Sequence, residues 1–351
     1  MNCDRRRDPR PARGNDASSE RGVSAVLIAV CASMLIAFAA FVLDTGALYT
    51  ERRELQVGAD AGALALAQDC AKSNCTNLSA KADVMADLNA SDGQSTATAQ
   101  LLGGSSVEVV NRTNDAGSNI DGDASTVDFH FARIFGQNGH AVSARAVASW
   151  YYPGGATTLP LTFSLCEWNA TGGLNGLTPG PPYSGPVDVI FFHDPTVSKG
   201  AGVCPSGPAG QDIPGGFGWL SPTTGCSVTI NAAGWVAGST GNSAPNGCND
   251  PASLINREVL LPIFDDVKKS PQSVGLCGAN RCYHIFGFAG FYITGMQLGG
   301  NGNAWTINAP PGCSPSKRCI GGYFVRFVQG ATAGTGVGGP NLGAAVVKLT
   351  E

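Results

Sequence analysis

Residues 23–43 read VSAVLIAVCASMLIAFAAFVL, 21 consecutive uncharged positions. At 1.5 Å per residue, a helix of that length spans the hydrocarbon core of a bilayer, about 30 Å. Arg5, Arg6, Arg7, Arg10, Arg13 and Arg21 precede it, whereas the near side beyond it offers only Arg52 and Arg53. This bias predicts a cytoplasmic tail at 1–22, a transmembrane helix at 23–43 and an extracytoplasmic remainder. The competing reading is a signal peptide cleaved after Ala37-Phe38-Ala39. Against it, the apolar run is longer than a usual h-region and continues past that site.

Working outward, residues 48–71 are rich in Ala, Leu, Glu and Arg, contain no Pro, and repeat apolar or small residues every three or four positions. The helix therefore runs on without a break to about residue 71. Gly58, Ala59, Ala61, Gly62, Ala63, Ala65 and Ala67 form a small-residue stretch that lets another backbone approach closely. That backbone belongs either to the protein's own sheet or to another helix. Asp44 stands where the helix leaves lipid, because a carboxylate is tolerated at an interface and costly at mid-bilayer. It either fixes the depth of the helix, pairs with a partner's cation, or simply marks the boundary.

The whole chain has 351 residues, a net charge of −4 and 14% charged residues, with +2 before the span and −6 after it. This balance argues against nucleic-acid binding. Residues after Trp150 hold 36 of the 48 Gly and 19 of the 21 Pro, together with 8 of the 12 Cys and 20 of the 27 aromatics. Disordered chains lack such Cys and aromatics, so 151–351 reads as a stapled, loop-rich β domain. Its short apolar runs at 187–192, 227–230, 283–297, 322–328 and 344–349 predict strands between turns. Residues 253–264 are ambiguous between helix and strand, with Pro262 against helix. The fold class is α+β.

Cys3 falls in the tail and Cys31 in the span, which leaves ten exported: Cys70, Cys75, Cys166, Cys204, Cys226, Cys248, Cys277, Cys282, Cys313 and Cys319. An even number in an oxidising compartment favours disulfides. The expectation keeps Cys70 with Cys75, Cys277 with Cys282 and Cys313 with Cys319, and leaves the other four to pair among themselves.

Chemistry is thin. The four His are scattered without a zinc-binding pattern, no nucleophile elbow occurs, and the Gly-rich stretch before the last run lacks the Lys-Ser/Thr pair of a phosphate loop. Asp265-Asp266 reads as a solvated pair. Asp194-Pro195-Thr196-Val197-Ser198 after an apolar run is somewhat like a metal-ion-dependent adhesion site, although Pro195 favours a plain turn. Trp219, Trp235, Phe286, Phe288, Phe291 and Tyr292 could line a glycan or peptide groove, but core is the simpler reading. No cofactor and no catalytic residue is implied.

Arg21-Gly22, the span, Asp44-Thr45-Gly46, Leu48-Tyr49, Arg52-Arg53, Leu55-Gln56 and Ala59-Asp60-Ala61 together resemble the N-terminus of TadE/TadG-like proteins of the tight-adherence (Flp pilus) systems. The family-motif positions are Gly22, Asp44, Gly46 and Asp60. The resemblance extends to a short second helix ending at Asn89, and to closing strands at 127–136 and 142–148. It thus divides the exported part into a TadE/TadG-like segment, 44–150, and the β domain, 151–351. The latter resembles a Cys-bearing extension found in high-GC Gram-positive bacteria. One position departs from the pattern of processed pilins: Leu27 stands five residues after Gly22, where those carry Glu. That departure points to permanent anchoring, and the resemblance implies a non-enzymatic role in pilus assembly or as a minor-pilin-like surface protein. Its partners would be other pilin-like or Tad-system envelope proteins and the membrane. The alternatives are a membrane-tethered adhesin or carbohydrate-binding module unrelated to pili, and an extracellular hydrolase.

Overall fold

The structure, a computed structural model, describes residues 17–91, 93, 95–114, 126–178, 180–191, 216–239, 244–245, 247–248, 251–269, 277, 281–298, 303–305, 318–331 and 336–350. Helix α1 (Ala17–Ala71) is followed by α2 (Leu78–Asn89), β1 (Ser95–Leu101), β2 (Ser106–Thr113), β3 (Val127–Asp128), β4 (Gly139–His140) and β5 (Ser143–Tyr151). Then come β6 (Gly155–Thr158), β7 (Leu161–Ser164), α3 (Leu165–Ala170), β8 (Asp188–Phe191), β9 (Phe217–Trp219), β10 (Val228–Asn231) and β11 (Gly234–Ala237). The chain continues with β12 (Arg257–Lys269), β13 (Arg281–Gln297), β14 (Asn303–Trp305), β15 (Cys319–Val325), β16 (Phe327–Gly330) and β17 (Ala344–Leu349).

Helix α1 is unbroken over 55 residues, roughly 80 Å of rod. Its first part projects: Leu27, Leu35, Phe38 and Phe41 are all exposed. Its last part lies on a sheet ordered β1-β2-β5-β17-β16. Leu55, Ala59, Ala63, Leu66 and Ala67 share one core with Ala86 of α2 and with Val107, Val109, Ala146, Ala148 and Val347 of the strands. Small side chains on both surfaces bring helix and sheet close. A Cβ at Gly58 would stand 2.7 Å from Asn111 Nδ2 and 3.3 Å from Ala86 Cα. The small-residue stretch is thus spent on the protein's own sheet and second helix. The sheet also crosses the expected boundary at 150/151, since β17, near the end of the chain, pairs antiparallel with β5 at Val347↔Trp150.

The second layer is a sheet ordered β8-β15-β13-β12-β7-β9, with β11 and β14 also paired to β13. The expected runs form strands, but 283–297 lies within the 17-residue β13 and 322–328 is divided between β15 and β16. The ambiguous segment divides into a 3-10 turn at Pro251–Leu254 and strand β12. On one face Phe163, Phe291 and Phe324 meet edge to face, with centroids 4.9 to 6.1 Å apart. This arrangement needs a neighbour without a side chain, because a Cβ at Gly322 would lie 2.5 Å from the Phe291 ring. The other face buries Leu260, Phe264, Tyr283, Ile285 and Phe288. The aromatics singled out from the sequence accordingly split. Trp219, Phe288 and Phe291 are core, whereas Phe286 is 36% exposed.

Cys70 is joined to Cys75, Cys226 to Cys248 and Cys277 to Cys282, with Cα atoms 4.5, 4.6 and 5.7 Å apart. Cys166 and Cys319 are also disulfide-bonded. Cys31 is a free, exposed thiol on the span. Cys3, Cys204 and Cys313 lie outside the described residues, as does the 194–198 constellation.

Candidate functional site

The most constructed polar feature is at the point where α1 leaves its apolar run. Asp44 is 7% exposed. Its Oδ1 accepts the backbone N–H of His130 at 3.0 Å, its Oδ2 that of Ala132 at 2.7 Å, and Phe131 N–H lies between them at 3.3 and 3.1 Å. Ala132–Phe135 is a 3-10 helix, so the carboxylate occupies the end where free N–H groups collect. A charged acceptor gripping three amides is stronger than neutral bonds would be.

This corrects the expected closing strand at 127–136. Only Val127 and Asp128 are strand, paired with His140 and Gly139. Phe129 N–H still reaches across to Asn138 O, but the next three amides turn to Asp44 rather than to a ladder, which ends the strand. The alternating Phe129 and Phe131 look like strand periodicity, while the residue that decides otherwise is 86 positions away from His130. The second closing piece, by contrast, is strand β5.

The hydroxyls around this point are satisfied locally. Thr45 Oγ1 donates to Phe41 O at 2.7 Å, Thr50 Oγ1 to Gly46 O at 3.0 Å and Ser33 Oγ to Val30 O at 2.8 Å. Such back-bonding removes their need for outside partners in an apolar medium. Asp60 accepts from Gln56 Nε2 at 2.8 Å, and that amide also donates to Arg145 O of β5 at 3.2 Å. Asp60 therefore orients a side chain that ties helix to sheet. Gly22 and Gly46 differ from these, since a Cβ at either meets nothing within 4 Å. Among the described residues, no packing calls for glycine there.

The sequence reading missed Asn111, which is 1% exposed and donates from Nδ2 to Leu55 O at 3.2 Å. Its neighbour Gly58 was legible only as one more small residue. A second missed polar feature is Glu167 on α3, 4% exposed, whose Oε1 accepts Gly216 N–H at 2.8 Å. Burial pushes its carboxyl up against the pull of that hydrogen bond, and the Asp188 charge adds to the rise. Asp188 itself is pushed up to about 6 by burial. Asp265 and Asp266 go separate ways, to His284 Nδ1 at 2.5 Å and to Lys268 Nζ at 3.9 Å. Among the described residues, no three His, Cys, Asp or Glu side chains gather as a metal site requires.

One helix among the described residues is long and apolar enough to cross a membrane, with a mean hydropathy of 2.8 in its most apolar window. The segment from that span through the Asp44 clamp to the sheet-packed end of α1 has a counterpart among known families. Residues 22–69 match the family described as "Putative Flp pilus-assembly TadE/G-like". This TadE/G-like segment coincides with α1, including both the projecting part and most of the part buried on the sheet. With the apolar span, it supports a pilus-related role for a single-pass membrane protein. No curated protein and no solved structure matches the chain.

Proposed function

We propose that the chain is a membrane-anchored, minor-pilin-like or assembly component of a Tad/Flp-type pilus, acting by association rather than catalysis. The observation that carries this reading is the division of the TadE/G-like segment into a buried and a projecting half. Its small-residue stretch is occupied internally, so association with other pilin-like helices runs through the exposed apolar residues 23–49. The basic tail supports a cytoplasmic N-terminus with the disulfide-stapled sheets outside. Permanent anchoring follows from Leu27, which replaces the Glu of processed pilins.

The test is photo-crosslinking in the native envelope from positions Leu35 and Tyr49, which are 70% and 74% exposed. Adducts with other pilus-system proteins are expected, together with loss of piliation when the gene is deleted. Normal pili in the deletion strain would overturn the reading.

A further inference from the structure

The Asp44 clamp holds a piece of non-helical backbone against the membrane-facing part of α1. Between that loop and the helix runs a groove of about 380 Å³, lined by Ile36, Ala37, Phe41, Phe129, Phe131 and Ile134 among others. It reaches along the helix from Leu48 to Ser33. Ser33 lies roughly 16 Å below Asp44 along a helix, about half the hydrocarbon thickness. Ile134 at the turn is 80% exposed.

We infer that residues 129–135 form a foot embedded in the outer leaflet of the bilayer, and that lipid acyl chains fill the groove between this foot and α1. The inference rests on the reading that residues 23–43 span the membrane. One wall of the groove is the span itself, so whatever surrounds the span also enters the groove.

Backbone hydrogen bonding gives an independent argument. Irregular backbone survives at membrane depth only when its polar groups are satisfied inside the protein. Phe129 N–H donates to Asn138 O at 2.9 Å, and the next three N–H groups go to Asp44. Ile134 donates to Phe131 O at 3.1 Å, Gly136 to Arg133 O at 2.9 Å and Gln137 to Ala132 O at 3.2 Å. Seven of the nine N–H groups from Phe129 to Gln137 are engaged in these bonds, more than a loop exposed to water needs. Ile134 is exposed and Phe129 and Phe131 are half-buried along the groove, apolar groups that favour the acyl boundary, while the exposed polar side chain, His130, stands at the Asp44 end.

The full chain reconstituted at low density in phosphatidylcholine vesicles with brominated acyl chains tests this through Trp emission. Ile134→Trp and Phe38→Trp are each compared with the wild type, whose five Trp supply the background. The added emission of both variants is expected to be quenched to a comparable extent. Adding Asp44→Asn is expected to release the Ile134→Trp signal while leaving Phe38→Trp quenched. Quenching of Phe38→Trp alone would overturn the foot and leave the span intact. If neither is quenched, the spanning reading fails and the foot falls with it. Emission of Ile134→Trp that is shielded until the protein is diluted in lipid would put a second copy in the groove and overturn the lipid assignment.

Discussion

The two halves of α1 are one helix with one backbone geometry, yet they answer to different solvents. Leu35 is 70% exposed and Leu66 1%. The projecting half carries large apolar side chains and the packed half small ones. A lipid-facing surface needs bulk apolar area and tolerates any shape, whereas a helix laid on a sheet must match it atom by atom. Hydrophobicity therefore marks the first half, and residue size marks the second.

The largest expected break in this comparison comes from trimming a leucine on each side. Leu66→Ala should cost about 2–5 kcal/mol, the usual penalty for a buried cavity. Leu35→Ala should stay within about 0.5 kcal/mol, as for exposed positions. Thermal unfolding of detergent-solubilised protein followed by near-UV circular dichroism checks both. A similar loss at the two positions would mean that the projecting half is packed after all.

Enlarging a glycine probes the same contrast from the opposite side and with a smaller effect. Gly58→Leu forces atoms into Asn111 and Ala86 and should cost about 1–3 kcal/mol. Gly46→Leu enters open space and gains helix propensity, so the same melting experiment should show unchanged or raised stability.

The smallest effect is a pH slope that arises in the second layer. The folded protein holds the Asp188 proton more tightly than the unfolded chain does, because burial raises its carboxyl from 3.8 to about 6. The stability that this proton contributes is present below about pH 4. It is lost as pH rises through 6 and stays lost above that. Asp188→Asn should flatten this part of the stability profile, measured by denaturant unfolding between pH 4 and 7, while leaving the α1-sheet layer's response unchanged. An unaltered slope would remove Asp188 as its source.

How much of this was legible follows from how local each signal is. The span needs only its own 21 residues to declare itself, and β17 falls on the predicted run at 344–349. The small-residue stretch was ambiguous because a sheet of Ala and Val imposes the same demand as a neighbouring helix. The Asp44 clamp could not be read, since its acceptor and donors are separated by more than eighty residues and the donors are backbone groups common to every sequence. The Asn111–Gly58 contact fails for a related reason: a polar residue inside an apolar strand pattern looks like a surface position until the helix covers it.

The pairing of β17 with β5 has a consequence for the order in which the molecule can be made. The layer built around α1 is laid down through β5, but one of its interior strands, β17, follows only after nearly two hundred more residues. As the chain is synthesised, β5 waits with an unpaired edge while nearly two hundred residues, the second layer among them, are delivered. Until 344–349 arrive, that edge is open to the wrong neighbour. Closing the first sheet is thereby a report that the strands between β5 and β17 have been delivered and the chain has folded back.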